Sequence, residues 1–169
     1  MWVLESAHRY ARASAVLLHA HLTYESEVNA ALSMELLIKS LLAEPVANER
    51  AGTSLQQYRI PRSLGIKDGH NLWQLYQKVP FDIAEKLGLR SHEWVLEKKQ
   101  NVFKSARYIY EENAPRSSDT QLLQTVSWLL PQVIVHFSET GQADQWVEFM
   151  VANPKEMQIS SVSELLLGI

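Results

Sequence analysis

Apolar residues recur along this chain at intervals of three and four, and no stretch alternates convincingly, so the pattern predicts helices rather than strands. Ala7, Tyr10, Ala11, Ser14, Leu17, Leu18 and His21 form one stripe and predict a first helix over 5–21. A turn is expected near Thr23, with Thr23 and Ser26 as caps. Ala30, Met34, Leu37, Ile38, Leu41 and Leu42 then mark the buried face of a second helix. Pro45 ends it, because proline disfavours helical geometry in the residue before it.

Residues 46–69 carry Gly52, Pro61, Gly65 and Gly69 with little periodicity and read as the longest loop. Short helices are expected over 71–78, closed by Pro80, and over 82–87, closed by Gly88. A long helix is predicted over 91–112, with Val95, Val102, Phe103, Ala106 and Tyr110 inward. Asp119 is a natural cap for the next helix, whose buried face is Leu122, Val126, Leu129, Leu130, Val133 and Phe137. Pro131 within it predicts a kink. Residues 142–169 form a C-terminal helical extension, with Trp146, Phe149 and Met150 leading through Pro154 to Leu165, Leu166 and Leu167. Trp73, Trp94 and Trp128 are expected in the core or at helix seams. The fold class expected is all-α: a single-domain up-and-down helical bundle with additional short helices, spanning 1–169.

Composition narrows the function classes. A chain of 169 residues suits one domain with a real core. The net charge of −3 supplies no global positive field for sequence-independent nucleic-acid binding. The chain has no cysteine, which excludes disulfides, thiolate zinc sites and a cysteine nucleophile. No run approaches the roughly 20 apolar residues a membrane span needs, and the first residues lack the basic start of a secretory signal. A soluble, cytoplasmic protein without a membrane partner is the expectation.

Three predicted helices each place a polar group beside an apolar stripe. Glu35 and Lys39 are four apart and share a helical face. Set among Leu36, Leu37 and Ile38, Glu35 would need hydrogen-bond partners to stay ionised. His70 follows Gly69 at the start of a helix, where its imidazole either caps that helix or reaches toward Glu35. Arg107, beside Tyr108, suits an anion or a stacked base. An exposed i, i+4 pair, a structural histidine anchor and a solvated charged face are the ordinary readings of the same residues.

Together, the Glu-x-x-x-Lys helix (Glu35, Lys39), the Gly-His-x-Leu motif (Gly69, His70, Leu72) and the later Arg-Tyr pair (Arg107, Tyr108) resemble the HEPN superfamily of helical domains. The resemblance is strongest over 25–112. It implies a helical bundle that forms a homodimer and either binds a nucleotide, RNA or protein partner or acts as a metal-independent ribonuclease of a toxin or antiviral system. The ribonucleases carry an Arg-x(4–6)-His motif late in the domain. Here the histidine next after Arg107 is His136, too distant for that motif. Arg12 and His19 have the spacing but lie in the first helix, where the motif is not expected. They share a helical face, and could in principle supply a general base and a phosphate-stabilising cation.

The primary expectation is therefore a non-catalytic HEPN-like bundle with a shared polar site at Glu35, Lys39, His70, Arg107 and Tyr108. The alternative is a ribonuclease using Arg12 and His19. No cofactor and no metal are expected: His19 and His21 diverge on a helix, and Glu5-x-x-His8 has no second copy.

Overall fold

The computed structural model describes residues 2–46, 57–105, 118–141 and 144–159. Over these residues the protein is all-α apart from one small pair of strands. Helix α1 (Trp2–His19) and helix α2 (Thr23–Leu42) form an antiparallel hairpin. Strands β1 (Glu44–Val46) and β2 (Gln57–Arg59) pair antiparallel, with Pro45 opposite Tyr58. Short helices α3 (Leu72–Tyr76), α4 (Phe81–Lys86), α5 (Glu93–Lys98) and α6 (Val102–Ser105) follow. The long α7 (Gln121–Glu139) closes the bundle, and α8 (Gln145–Ala152) and α9 (Pro154–Met157) pack at its end. The buried apolar residues, from Leu4 to Met157, form one core.

Helix α2 is the central element, contacting α1, α3, α6 and α7. Its predicted stripe is buried at Ala30, Met34, Leu37, Ile38 and Leu42. Small residues line the α1–α2 seam, where Ala7, Ala11 and Ser14 are buried against a face that includes Ser26 and Ser33. Ser14 and Ser26 exchange hydroxyl-to-carbonyl hydrogen bonds of 2.7 and 2.9 Å, and the Ser33 hydroxyl donates to the Ala7 carbonyl at 2.7 Å. These bonds satisfy polar groups that would otherwise be costly to bury. The first helix is thus rotated from its predicted stripe: Leu4, Ala7, Ala11, Ser14 and Ala15 face inward, while Tyr10 and His21 are exposed.

The turn between these helices is made by backbone, without the predicted caps. The Leu22 N–H donates to the Leu17 carbonyl and the His21 N–H to the Leu18 carbonyl, at 2.9 and 3.0 Å. This is a Schellman closure, and it holds His21 at φ +62°, a conformation usually taken by glycine. Thr23 lies inside α2, and Ser26 is buried in the seam.

Several other expectations change. The predicted helix over 91–112 is interrupted between α5 and α6, and residues 106–112 lie outside the described residues. At the interruption the Gln100 carbonyl accepts from the Leu72 N–H at 3.1 Å, and the Asn71 amide donates to the side chains of Gln100 and Asn101. A tertiary contact thus replaces helical bonding. The strand pair was not anticipated. Trp94 and Trp128 are not core residues, being 54% and 41% exposed, although Trp73 packs on the core. Pro131 sits within α7, which runs on to Glu139. Leu165, Leu166 and Leu167 lie outside the described residues.

Candidate functional site

Local chemistry shapes the segment Lys67–Gln74 before any ligand is considered. The Asn71 side chain, not His70, caps α3 by accepting from the Gln74 N–H at 2.8 Å. Asp68 accepts from the His70 N–H at 3.0 Å, and the Gln74 side-chain oxygen accepts from the Asp68 N–H at 3.3 Å. Asn71 N–H adds a bond to the Asp68 carbonyl at 3.1 Å. The capped turn leaves the His70 imidazole available for a contact across the helix interface.

That contact is to Glu35. The His70 Nδ1 lies 3.0 Å from Glu35 Oε2, and the Lys39 ammonium donates to Glu35 Oε1 one turn along α2. Glu35 is only 4% exposed. The Lys39 and His70 side chains are 25% and 48% exposed, so the buried carboxylate positions two groups that reach the surface. The His70 ring also stacks on Phe103, with centroids 4.9 Å apart and planes at 26°. A β-carbon on Gly69 would sit 3.8 Å from the Lys39 nitrogen, so the turn backs directly onto the ammonium. Helices α2 and α6 and the turn before α3 therefore build one site. The contact between Nδ1 and the carboxylate fixes the orientation of the imidazole. The arrangement offers a cation, a fixed imidazole and an aromatic ring.

Glu35, Lys39 and His70 are thus brought together as expected. Arg107 and Tyr108 lie outside the described residues, although they follow Phe103 closely in sequence. Arg12 and His19 are both exposed on α1. His19 joins His21 and Gln124 around a cavity of about 830 Å³ floored by Leu18, Leu123 and Trp128. Arg12 does not line that cavity.

A second buried charge cluster escaped the sequence reading. Lys99, in the interruption before α6, bonds Glu27 of α2 and lies 2.9 Å from Asp119, just before α7. Burial opposes the ammonium charge, but the hydrogen bonds to Glu27 and Asp119 outweigh it and hold Lys99 above its ordinary value. Burial likewise opposes ionisation of Asp119, yet Lys99 and the Gln121 N–H bring its carboxyl below the usual range. A signal existed. Glu27 continues the stripe of Ala30, Ala31 and Met34, and Lys99 continues that of Val95 and Leu96. Charges of opposite sign therefore stand in two apolar stripes.

Elsewhere, the Tyr76 hydroxyl donates to Glu93, and burial followed by that bond pushes its ionisation upward. Arg90 bridges Glu85 and Glu93 and lies over the Phe81 ring, 4.8 Å from its centroid. Among the described residues, no group of three or more His, Asp or Glu side chains could hold a metal ion. No described helix is long and apolar enough to cross a membrane.

Comparisons with protein-family models, curated proteins and solved structures find no match to this chain.

Proposed function

We propose that this protein is a non-catalytic, HEPN-like helical bundle that binds a nucleotide or RNA through the Glu35–Lys39–His70 site. The observation that carries this reading is the buried carboxylate of Glu35, hydrogen-bonded to two side chains that both reach solvent. A pair serving stability alone gains little from an exposed imidazole, because exposed charge pairs contribute on the order of 1 kcal/mol or less. Lys39 supplies the charge for a phosphate. The stacked His70 and Phe103 rings supply a surface for a base. Arg107 and Tyr108 belong to the same proposed site by sequence resemblance, which also implies a homodimer.

The test is equilibrium binding of labelled ATP and of a short single-stranded RNA at two salt concentrations. Lys39→Met and His70→Ala should each weaken binding about tenfold or more, equivalent to about 1.4 kcal/mol. The Lys39 variant should also reduce the salt dependence. Equal binding by all three forms, or none by the wild type, overturns the reading, and a role in holding a protein partner would then be the successor. The same RNA incubated without metal tests the ribonuclease alternative. Cleavage by the wild type that disappears in His19→Ala would replace the binding proposal with an enzymatic one.

A further inference from the structure

A cavity of about 830 Å³ lies between the end of α1 and the first half of α7, and its described lining shares no residue with the Glu35–Lys39–His70 site. The volume falls within the range of about 300–1,000 Å³ that small-molecule pockets occupy. Leu18, Leu123, Trp128 and Ile159 give it apolar walls. Thr120, Leu123, Gln124, Ser127 and Trp128 recur at the spacing of one helical face, a second stripe on α7 beside the one buried in the core. This second stripe faces an opening instead of a neighbouring helix.

Two imidazoles share the rim. On a continuous helix His19 and His21 would point about 200° apart. They reach one cavity because the left-handed backbone of His21, at φ +62°, reverses the chain directly after α1. His21 holds the position that closes a Schellman turn, where glycine is the usual residue. A side chain there costs about 1 kcal/mol, and backbone held in this way gathers at ligand sites. Neither imidazole has a hydrogen-bond or ion-pair partner among the described residues.

The chemistry of the rim selects a class of ligand. The described lining holds no Lys, Arg, Asp or Glu, so it lacks the cations that a phosphate ordinarily meets. An imidazole always carries at least one N–H to donate, and two of them converge beside apolar walls. Thr120 is the N-cap of α7, so the positive end of a helix of 19 residues borders the same cavity. The adjacent Asp119 carboxylate is already taken up by Lys99 and the Gln121 N–H.

We propose that this cavity binds a monocarboxylic acid with an extended apolar body. The carboxylate is held by His19 and His21, and the body lies against Leu18, Leu123 and Trp128. The site is separate from the polar site and does not rest on it.

Titration calorimetry of the full chain with decanoate, decanol and decyltrimethylammonium keeps the apolar body and changes only the head group. Decanoate should bind once per chain, and about tenfold or more tighter than the other two, the margin that hydrogen bonds to a charged group supply. His19→Ala combined with His21→Gly should remove that preference and leave decanol binding unchanged. His21→Gly alone should weaken decanoate binding while raising the melting temperature, which a merely structural histidine would not do. Ser127→Trp should fill the cavity and abolish binding of decanoate and decanol alike. The Ser127 hydroxyl donates only to the Leu123 carbonyl one turn earlier, at 2.7 Å, so helical circular dichroism should survive the change. No saturable decanoate binding, equal binding of the three compounds, or decanoate binding that persists in both Ser127→Trp and the histidine variants overturns the proposal. ATP and RNA binding, which Lys39→Met reports, is read separately and stands or falls on its own.

Discussion

Glu27 and Glu35 lie two turns apart on α2, and each is buried against a partner from the middle of the chain. Lys99 comes to Glu27, and His70 comes to Glu35. The two acids fasten the short helices and their connecting turns to the α1–α2 hairpin.

Lys99→Ala should be among the most damaging single substitutions in the protein. It would leave Glu27 buried without its cation, at a cost of about 3–5 kcal/mol. The double variant Lys99→Met with Glu27→Leu should recover most of the loss, since apolar residues of similar volume can replace a buried ion pair. Urea denaturation of the wild type, the single variant and the double variant measures both effects.

The same cluster sets an acid limit. Asp119 titrates below its ordinary value when folded, so its contribution is present above about pH 4 and is lost as pH falls through the folded value. Asp119→Asn should be less stable at pH 7, and its stability should decline less between pH 4 and pH 2. Urea midpoints across that interval provide the check.

Histidines act in a higher window. Burial holds His8 below its ordinary value against the opposing hydrogen bond to the Glu156 carbonyl, and burial also lowers His92 and His136. Such groups take up protons more readily in the unfolded chain. Their contribution is therefore full above about pH 6.5 and declines as pH falls toward the folded values. The urea midpoint should be lower at pH 5 than at pH 7. His8→Gln, which retains a donor for Glu156, should narrow that difference.

Gly88 should not accept a side chain. Its φ is +64°, and an added β-carbon would lie 2.8 Å from the Trp128 ring. Gly88→Ala should cost at least about 1–2 kcal/mol from backbone conformation alone, with the steric overlap adding more. Thermal melts of Gly88→Ala with and without Trp128→Leu separate the two contributions, because the second change relieves only the overlap.

The opposite exchange should help at His21. Its positive φ closes the α1–α2 turn with a residue that has a β-carbon. His21→Gly should stabilise the fold by about 1 kcal/mol, visible as a raised melting temperature.

Periodicity made α2 legible because its stripe from Ala30 to Leu42 follows one face for more than three turns, and it placed α7 for the same reason. It misplaced Tyr10, because beyond Leu4 the buried face of α1 is made by Ala7, Ala11, Ser14 and Ala15, while Tyr10 and Val16 are exposed. The interruption at Lys99–Asn101 could not be seen locally, since the bonds that hold it reach Glu27, Asn71, Leu72 and Asp119, all distant in sequence. Strands of three residues are too short to alternate visibly. At the site, helical spacing placed Lys39 beside Glu35, but only the tertiary fold brings His70 and Phe103 to them. Trp128, expected in the core or at a seam, is 41% exposed and lies against Gly88 and His92.

The two acids of α2 also bear on how the chain folds. The serine-lined hairpin of α1 and α2 can form from neighbouring sequence, with Glu27 and Glu35 still hydrated. Completing the core removes water from both carboxylates, and while Glu35 already has Lys39 beside it on α2, Glu27 gains its cation only when Lys99 arrives. A half-assembled bundle is therefore penalised at Glu27. Folding of the remaining chain onto the hairpin should be cooperative, because Glu27 cannot be enclosed ahead of Lys99.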